Sequence, residues 1–155
     1  EVELKEKKDR VDDALQATRA AIEEGVVEGG GIALLRAYEV LKDVEVEDPS
    51  EQDGIDVIKS ALRAPIIQIL QNGGLEAGVI LRDLETHWEN GNNVGYDAKS
   101  GEFVNMLDTG IIDPKKVTRT AIQNASSVVG MILTTEAMVV DKKEDKPQQP
   151  QMLMG

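Results

Sequence analysis

Apolar residues recur at helical spacing over the first part of the chain, with charged residues at the positions between them. The pattern predicts a helix from about Leu4 to Glu24 that ends at Gly25, because glycine readily terminates helices. The predicted apolar face consists of Leu4, Val11, Leu15, Thr18 and Ile22. At 1.5 Å per residue this helix is about 30 Å long, which suits a lever or connecting rod.

The same spacing predicts three further helices in the middle of the chain. The first follows Gly29–Gly31, and an acidic loop is expected at Asp43–Asp53. The next helix carries apolar positions from Ile55 to Ile69, and Pro65 within it is expected to kink or interrupt the axis. A shorter helix is expected at Leu75–Leu84, after a glycine-rich turn.

The pattern changes in the last third of the chain. Gly- and Asn-rich turns predict a small β-hairpin within Asn90–Met106 that turns at Ala98–Gly101. Asp113 followed by Pro114 predicts the start of a final helix, with Asp as the N-cap and Pro at the first helical position. After Val140 the chain becomes charged and rich in Pro and Gln, which predicts disorder. The expected fold is mainly α with one hairpin.

Composition narrows the range of partners. The 155 residues carry a formal net charge of −12, which argues against nucleic acid or an anionic membrane as the main partner. The absence of cysteine excludes disulfides and thiolate metal sites. The first residues do not resemble a signal peptide and begin inside the predicted helix, so we expect the chain to be part of something larger.

Three segments suit phosphate chemistry, and each has a structural alternative. Gly29–Gly31 before a helix would let a ligand approach free amides, or would serve as a hinge. A carboxylate of Asp12 or Asp13 can orient an attacking water or hold magnesium, or it is a solvated residue on a charged helix. Asp113 can accept hydrogen bonds from ribose hydroxyls, or it caps its helix.

Several segments resemble, in order and spacing, the GroEL-type (group I) chaperonins. The matching segments are Lys5–Leu15, Ala17–Ala21, Glu23–Val27, Gly29–Gly31, Gly95–Ala98, Asp108–Pro114, Lys116–Arg119 and Thr134–Glu136. The resemblance implies the helical bundle of a chaperonin equatorial domain with a long N-terminal helix. Residues 1–25 would be an intermediate-domain helix, residues 26–140 the C-terminal half of the equatorial ATPase domain, and residues 141–155 a disordered tail.

The resemblance also implies a site for ATP or ADP with Mg²⁺. Gly30 would contact the nucleotide with Gly29 beside it, and the hairpin residues Asp97 and Ala98 would lie near the adenine. Ile111 and Asp113 would belong to the same site, with Asp113 at the ribose. Asp13 would be the catalytic carboxylate and the metal-binding residue. About 18 Å of helix separates Asp13 from Gly25, so the helix would have to fold down over the pocket.

The implied partners are those of a folding machine. They are other subunits in a homo-oligomeric ring, the missing N-terminal half, and unfolded protein and a lid co-chaperonin bound through an absent apical domain. The implied location is the cytoplasm or an organelle matrix, and the isolated chain is expected to be inactive. The alternatives are a helical scaffold or regulatory module without ATP chemistry, and a stand-alone phosphate-binding protein.

Two departures from the family pattern stand out. The family commonly has Asn where Asp97 stands, and the connection expected at Leu84–Asn93 is longer than usual. Within that connection, His87 is expected at the surface and Trp88 in a packing role.

Overall fold

The computed structural model describes residues 2–140 as five helices and two small antiparallel sheets. The predicted disordered tail, residues 141–155, lies outside the described residues. In chain order the elements are α1 (Val2–Glu24), β1 (Val26–Glu28), α2 (Ile32–Leu41), α3 (Pro49–Asn72), α4 (Ala77–Glu89), β2 (Gly95–Asp97), β3 (Glu102–Val104), β4 (Ile112–Pro114) and α5 (Lys115–Leu133). The expectation of a mainly helical fold is confirmed.

The long first helix and the hairpin lie where the sequence predicts them. α1 ends at Gly25, which has a φ of 83° and whose amide donates to the carbonyl oxygen of Ala21 at 2.8 Å. β2 and β3 pair antiparallel, with Tyr96 opposite Phe103, and turn through residues 98–101. Both features depend on residues close together in the chain.

Two predicted helix boundaries in the middle of the chain are wrong. α3 begins at Pro49, inside the expected acidic loop, because the side chain of Asp48 accepts a hydrogen bond of 2.7 Å from the amide of Ser50. α4 continues to Glu89, so His87 and Trp88 are helical and the expected long connection is reduced to residues 90–94. α3 also continues through Pro65 without interruption.

The predicted start of the last helix at Asp113 is also wrong. α5 begins at Lys115, and its N-cap position is held by Pro114 without a side-chain hydrogen bond. Asp113 instead lies in β4, where it is opposite Val27 of β1. This second sheet was not predicted, because each strand has only three residues and its partner is far away in the chain.

The core lies between α2, α3 and α4, with Met106 inserted from the segment after the hairpin. Its most buried large side chains are Ile32, Leu35, Ile66, Leu70, Leu84 and Met106. α1 and α5 contact each other and have no buried residue of their own. Among the described helices, none combines the length and the apolar character needed to cross a bilayer.

Candidate functional site

A glycine turn joins β1 to α2. Gly29 is buried and donates its amide to the carbonyl oxygen of Ile111 at 2.9 Å. Gly30 and Gly31 have φ values of 64° and 81°, and Gly31 is the N-cap of α2. A Cβ on Gly31 would lie 2.9 Å from the backbone nitrogen of Ile66, so only glycine fits there. The turn therefore places the start of α2 directly against α3.

A cavity of about 250 Å³ lies beside this turn. Its lining residues are Gly30, Ile66, Ile69, Leu70, Tyr96, Asp97, Ala98, Lys99 and Ile111. Four residues predicted for a nucleotide site thus line one cavity, although they come from three separate segments. The volume is below the roughly 300–1,000 Å³ of pockets that enclose whole small ligands. The cavity is mostly apolar and suits one planar part of a ligand, with a polar edge at the hairpin turn.

Asp97 forms the hairpin turn at the edge of the cavity. Its carboxylate accepts a hydrogen bond of 2.9 Å from the amide of Lys99 and one of 2.8 Å from the hydroxyl of Ser100. These bonds, the Lys99 amide first, lower the pKa of Asp97. An Asn at this position, the usual residue of the resembling family, would keep the oxygen that accepts from Lys99. The turn therefore tolerates either residue.

Asp113 lies two residues beyond Ile111 but is not among the residues that line the cavity. Its side chain is half-buried on β4, and burial raises the pKa of its carboxyl above the usual value of 3.8. The hydrogen bond between Gly29 and Ile111 keeps β4 next to the glycine turn. Asp113 is thus a neighbour of the cavity.

Asp13 lies elsewhere, in a groove of about 640 Å³ between α1 and α5. Its lining residues are Asp13, Gln16, Ala17, Arg19, Ala20, Glu23, Lys116, Val117, Thr120 and Ala121. The structure therefore does not bring Asp13 together with Gly30. Within residues 2–140, no group of three or more His, Cys, Asp or Glu side chains is placed to hold a metal ion. Asp13 can supply at most one of several magnesium ligands, the others coming from elsewhere.

Three contacts tie the end of α1 to the start of α5. Lys115 donates its amide to the carbonyl oxygen of Gly25 at 3.1 Å, and Glu23 pairs with Lys116. Arg119 donates two hydrogen bonds, of 3.0 and 2.6 Å, to the carboxylate of Glu24. The Arg119 bonds are the main reason why the pKa of Glu24 is lowered. Gly25, at the end of α1, is thus braced in this conformation.

The sequence did not single out several residues around the cavity. Ile66 and Ile69 were expected on the apolar face of α3, which indicated burial but not a cavity wall, and Leu70 was not named at all. The expectation that Trp88 packs is confirmed, because it lies against the core. His87 is half-buried, not exposed, and its ring lies 4.7 Å from that of Phe103.

Comparison with known proteins finds chaperonins, both among family models and among solved structures. A sequence model described as the TCP-1/cpn60 chaperonin family matches residues 1–143. Among solved structures, the chain is similar to the open-state monomer of a group II chaperonin from Methanococcoides burtonii, with 30% identity and a TM-score of 0.66. The match covers 80% of this chain and 32% of that one, so the chain spans about a third of that structure.

Proposed function

The chain belongs to the TCP-1/cpn60 chaperonin family, and from that premise we propose that it supplies one side of an ATP site in a protein-folding chaperonin subunit. The observation that carries the proposal is the cavity lined by Gly30, Asp97, Ala98 and Ile111. These residues come from three segments that are distant in sequence, and the family resemblance predicted a nucleotide role for each of them.

Each wall of the cavity has a chemical task under this proposal. Gly30 precedes α2, where free amides and the helix dipole favour a negatively charged phosphate. Ala98 and the apolar side chains of α3 suit the flat face of an adenine. Asp113 lies close by on β4, outside the cavity lining, and we assign to it the hydrogen bonds from the ribose hydroxyls.

Asp13 has a more demanding role. A carboxylate can orient or deprotonate the water that attacks a γ-phosphate, and one carboxylate together with phosphate oxygens is a common magnesium environment. Since Asp13 lies in the α1–α5 groove, this role requires α1 to move about Gly25. Such a movement would break the contacts of Glu23 and Glu24 with α5, so closure would gate hydrolysis.

We also propose that the chain is of the group I type, partnered by other subunits in a ring and by a lid co-chaperonin. The segments quoted from the sequence support this finer assignment, whereas the structural match is to a group II protein. The isolated chain is proposed to be inactive, because it holds only one side of the site.

The proposal is tested by filling the cavity in the full-length subunit that carries this chain. Ala98→Leu adds apolar volume at the cavity wall, and we expect the affinity for ADP with magnesium to fall at least about tenfold, measured by calorimetry. The matched control is Ala61→Leu, at an exposed position of α3, which should leave the affinity unchanged.

Three outcomes separate the candidate functions. Equal ADP affinity in Ala98→Leu and the wild type would contradict the assignment of this cavity. A wild-type subunit that assembles with its partners but binds no nucleotide would favour a scaffold without ATP chemistry. Tight ADP binding by the isolated chain would favour a stand-alone phosphate-binding protein.

A further inference from the structure

Arg36 of α2 is the centre of a cluster that joins three separate parts of the chain. Its guanidinium donates two hydrogen bonds to the carboxylate of Glu28 in β1 and one to the side-chain oxygen of Asn93. It also lies over the ring of Trp88, 4.3 Å from the centroid. We call Glu28, Arg36, Trp88 and Asn93 the Arg36 cluster.

The central pair of the Arg36 cluster is well shielded. The side chains of Glu28 and Arg36 are 12% and 32% exposed. A two-pronged ion pair in such surroundings is stronger and more directional than one on the open surface, and the Trp88 ring adds a cation–π contact. The cluster is therefore a rigid link and not a mobile surface pair.

The link joins the two walls of the proposed nucleotide cavity. Glu28 is two residues before Gly30, on the side of the glycine turn. On the other side, the indole of Trp88 donates a hydrogen bond of 2.7 Å to the carbonyl oxygen of Val94, directly before β2. Asp97, at the end of β2, lines the cavity. Arg36 therefore contacts residues that are only a few positions away from each wall of the cavity.

Packing at the start of the hairpin makes this connection stiff. Gly95 is buried, and a Cβ there would lie 2.7 Å from the sulfur of Met106 and 2.9 Å from a side-chain carbon of Ile32. The Cε of the same Met106 lies 3.4 Å from where a Cβ of Gly30 would be. Because Met106 packs against both Gly95 and Gly30, the hairpin cannot shift without displacing the glycine turn.

We propose that Arg36 is a positioning residue for the nucleotide: it holds the glycine turn and the hairpin at the separation that the cavity requires. The inference rests on the proposed function, since it assumes that this cavity takes the nucleotide. It predicts that loss of the Glu28–Arg36 pair weakens nucleotide binding although neither residue lines the cavity.

The main test variant is Glu28→Gln in the full-length subunit, because it keeps the side-chain shape and removes the charge. We expect the KM for ATP to rise about fivefold while kcat changes by less than about twofold. Arg36→Gln should have a similar effect. The double variant should be no worse than Arg36→Gln alone, because that variant already removes the Glu28 pair together with the contacts to Asn93 and Trp88.

The matched control is Glu39→Gln, one turn further along α2. Glu39 pairs with Lys42 at 3.7 Å and does not line the cavity, so the KM for ATP should stay at the wild-type value. If the charge variants do not fold, Asn93→Ala removes one exposed hydrogen bond of the same cluster. It should raise the KM by about twofold, and an unchanged KM would overturn the inference.

Measurement of the unfolding temperature alongside KM separates a positioning role from a purely structural one. A lower unfolding temperature with an unchanged KM for Glu28→Gln overturns the inference. If the wild type binds nucleotide and Glu28→Gln binds it equally well, the inference fails and the proposed function stands. If the wild type binds none, the proposed function fails, and the inference fails with it.

Discussion

The amide of Gly29 donates a hydrogen bond of 2.9 Å to the carbonyl oxygen of Ile111. The bond extends the β1–β4 pairing, which ends with Glu28 opposite Ile112, by one further contact. A Cβ on Gly29 would lie 3.0 Å from the same oxygen, so this close approach depends on the missing side chain. The bond makes the turn before α2 and the segment before α5 adjoining walls of one cavity.

Gly31→Ala should destabilise the chain by roughly 1–3 kcal/mol, because φ is 81° and the new Cβ would meet the backbone of Ile66. Gly78→Ala is the matched control: it is the second residue of α4, has open space around it, and should not be destabilising. Urea unfolding followed by circular dichroism measures both. Equal effects of the two substitutions would contradict this account of the glycine turn.

Asp13→Ala in the full-length subunit should leave the affinity for ADP near the wild-type value and lower kcat for ATP hydrolysis by about 10²–10⁴-fold. The reason is that Asp13 lies away from the cavity and would act only after α1 moves. Asp12→Ala, on the same helix, is the control and should retain turnover. Wild-type turnover by Asp13→Ala would remove the catalytic role assigned to this residue.

Asp113→Asn should raise the unfolding temperature at neutral pH. Burial raises the pKa of Asp113 in the folded state, so its ionised form opposes folding. This penalty is absent below the usual value of 3.8 and is complete once the pH has risen through the folded pKa. The difference between variant and wild type should therefore vanish at about pH 3, as thermal scans across the pH range would show.

Asp97→Asn, followed by the same thermal scans, should change the unfolding temperature in the opposite direction to Asp113→Asn. The pKa of Asp97 is lowered by its bonds within the hairpin turn, so the charged form supports folding above the usual value of 3.8. The substitution should lower the unfolding temperature slightly at neutral pH and have no effect at low pH. Shifts of the same sign in Asp97→Asn and Asp113→Asn would contradict the assigned causes.

Glu24→Gln should lower the unfolding temperature at pH 7 in dilute buffer by weakening the link between α1 and α5. The two bonds from Arg119 lower the pKa of Glu24 in the folded state. The ion pair therefore stabilises the fold at pH values above the usual pKa of 4.5, and this stabilisation is lost as the pH falls through the folded-state pKa. High salt should also reduce it, because the pair is exposed. A difference that persists at about pH 3 would exclude the ion pair as its source.

The two Asp-Pro dipeptides of the chain show when a local helix-start signal decides the structure and when a distant contact overrides it. Asp48-Pro49 starts a helix with the Asp side chain as cap, although an acidic loop was expected at this position. Asp113-Pro114 carries the same signal, yet both residues lie in β4 and the helix starts one residue later. The difference is the pairing with Val26 and Val27, which lie far away in the chain.

The candidate site divides in the same way. The family resemblance named six nucleotide-site residues, and four of them line one cavity: Gly30, Asp97, Ala98 and Ile111. The other two, Gly29 and Asp113, are not part of its lining. The resemblance assigned Asp13 to the same site only after the first helix folds down, and in this structure Asp13 lies in the groove between α1 and α5. The sequence did not predict the Arg36 cluster. Its residues (an Arg, a Glu, a Trp and an Asn) form no local motif, and their role follows only from the contacts that they make in the folded chain.

The sequence by itself determined the mainly helical character, the end of α1 at Gly25 and the hairpin turn, since spacing, glycine and turn residues act between near neighbours. The chaperonin family was indicated by the resemblance of whole segments to known sequences. The tertiary structure alone decided which distant residues meet: Gly29 with Ile111, Val27 with Asp113, and Glu28 with Arg36. The physical reason is that short strand pairings and ion pairs derive their free energy from groups that only a folded core brings within contact distance.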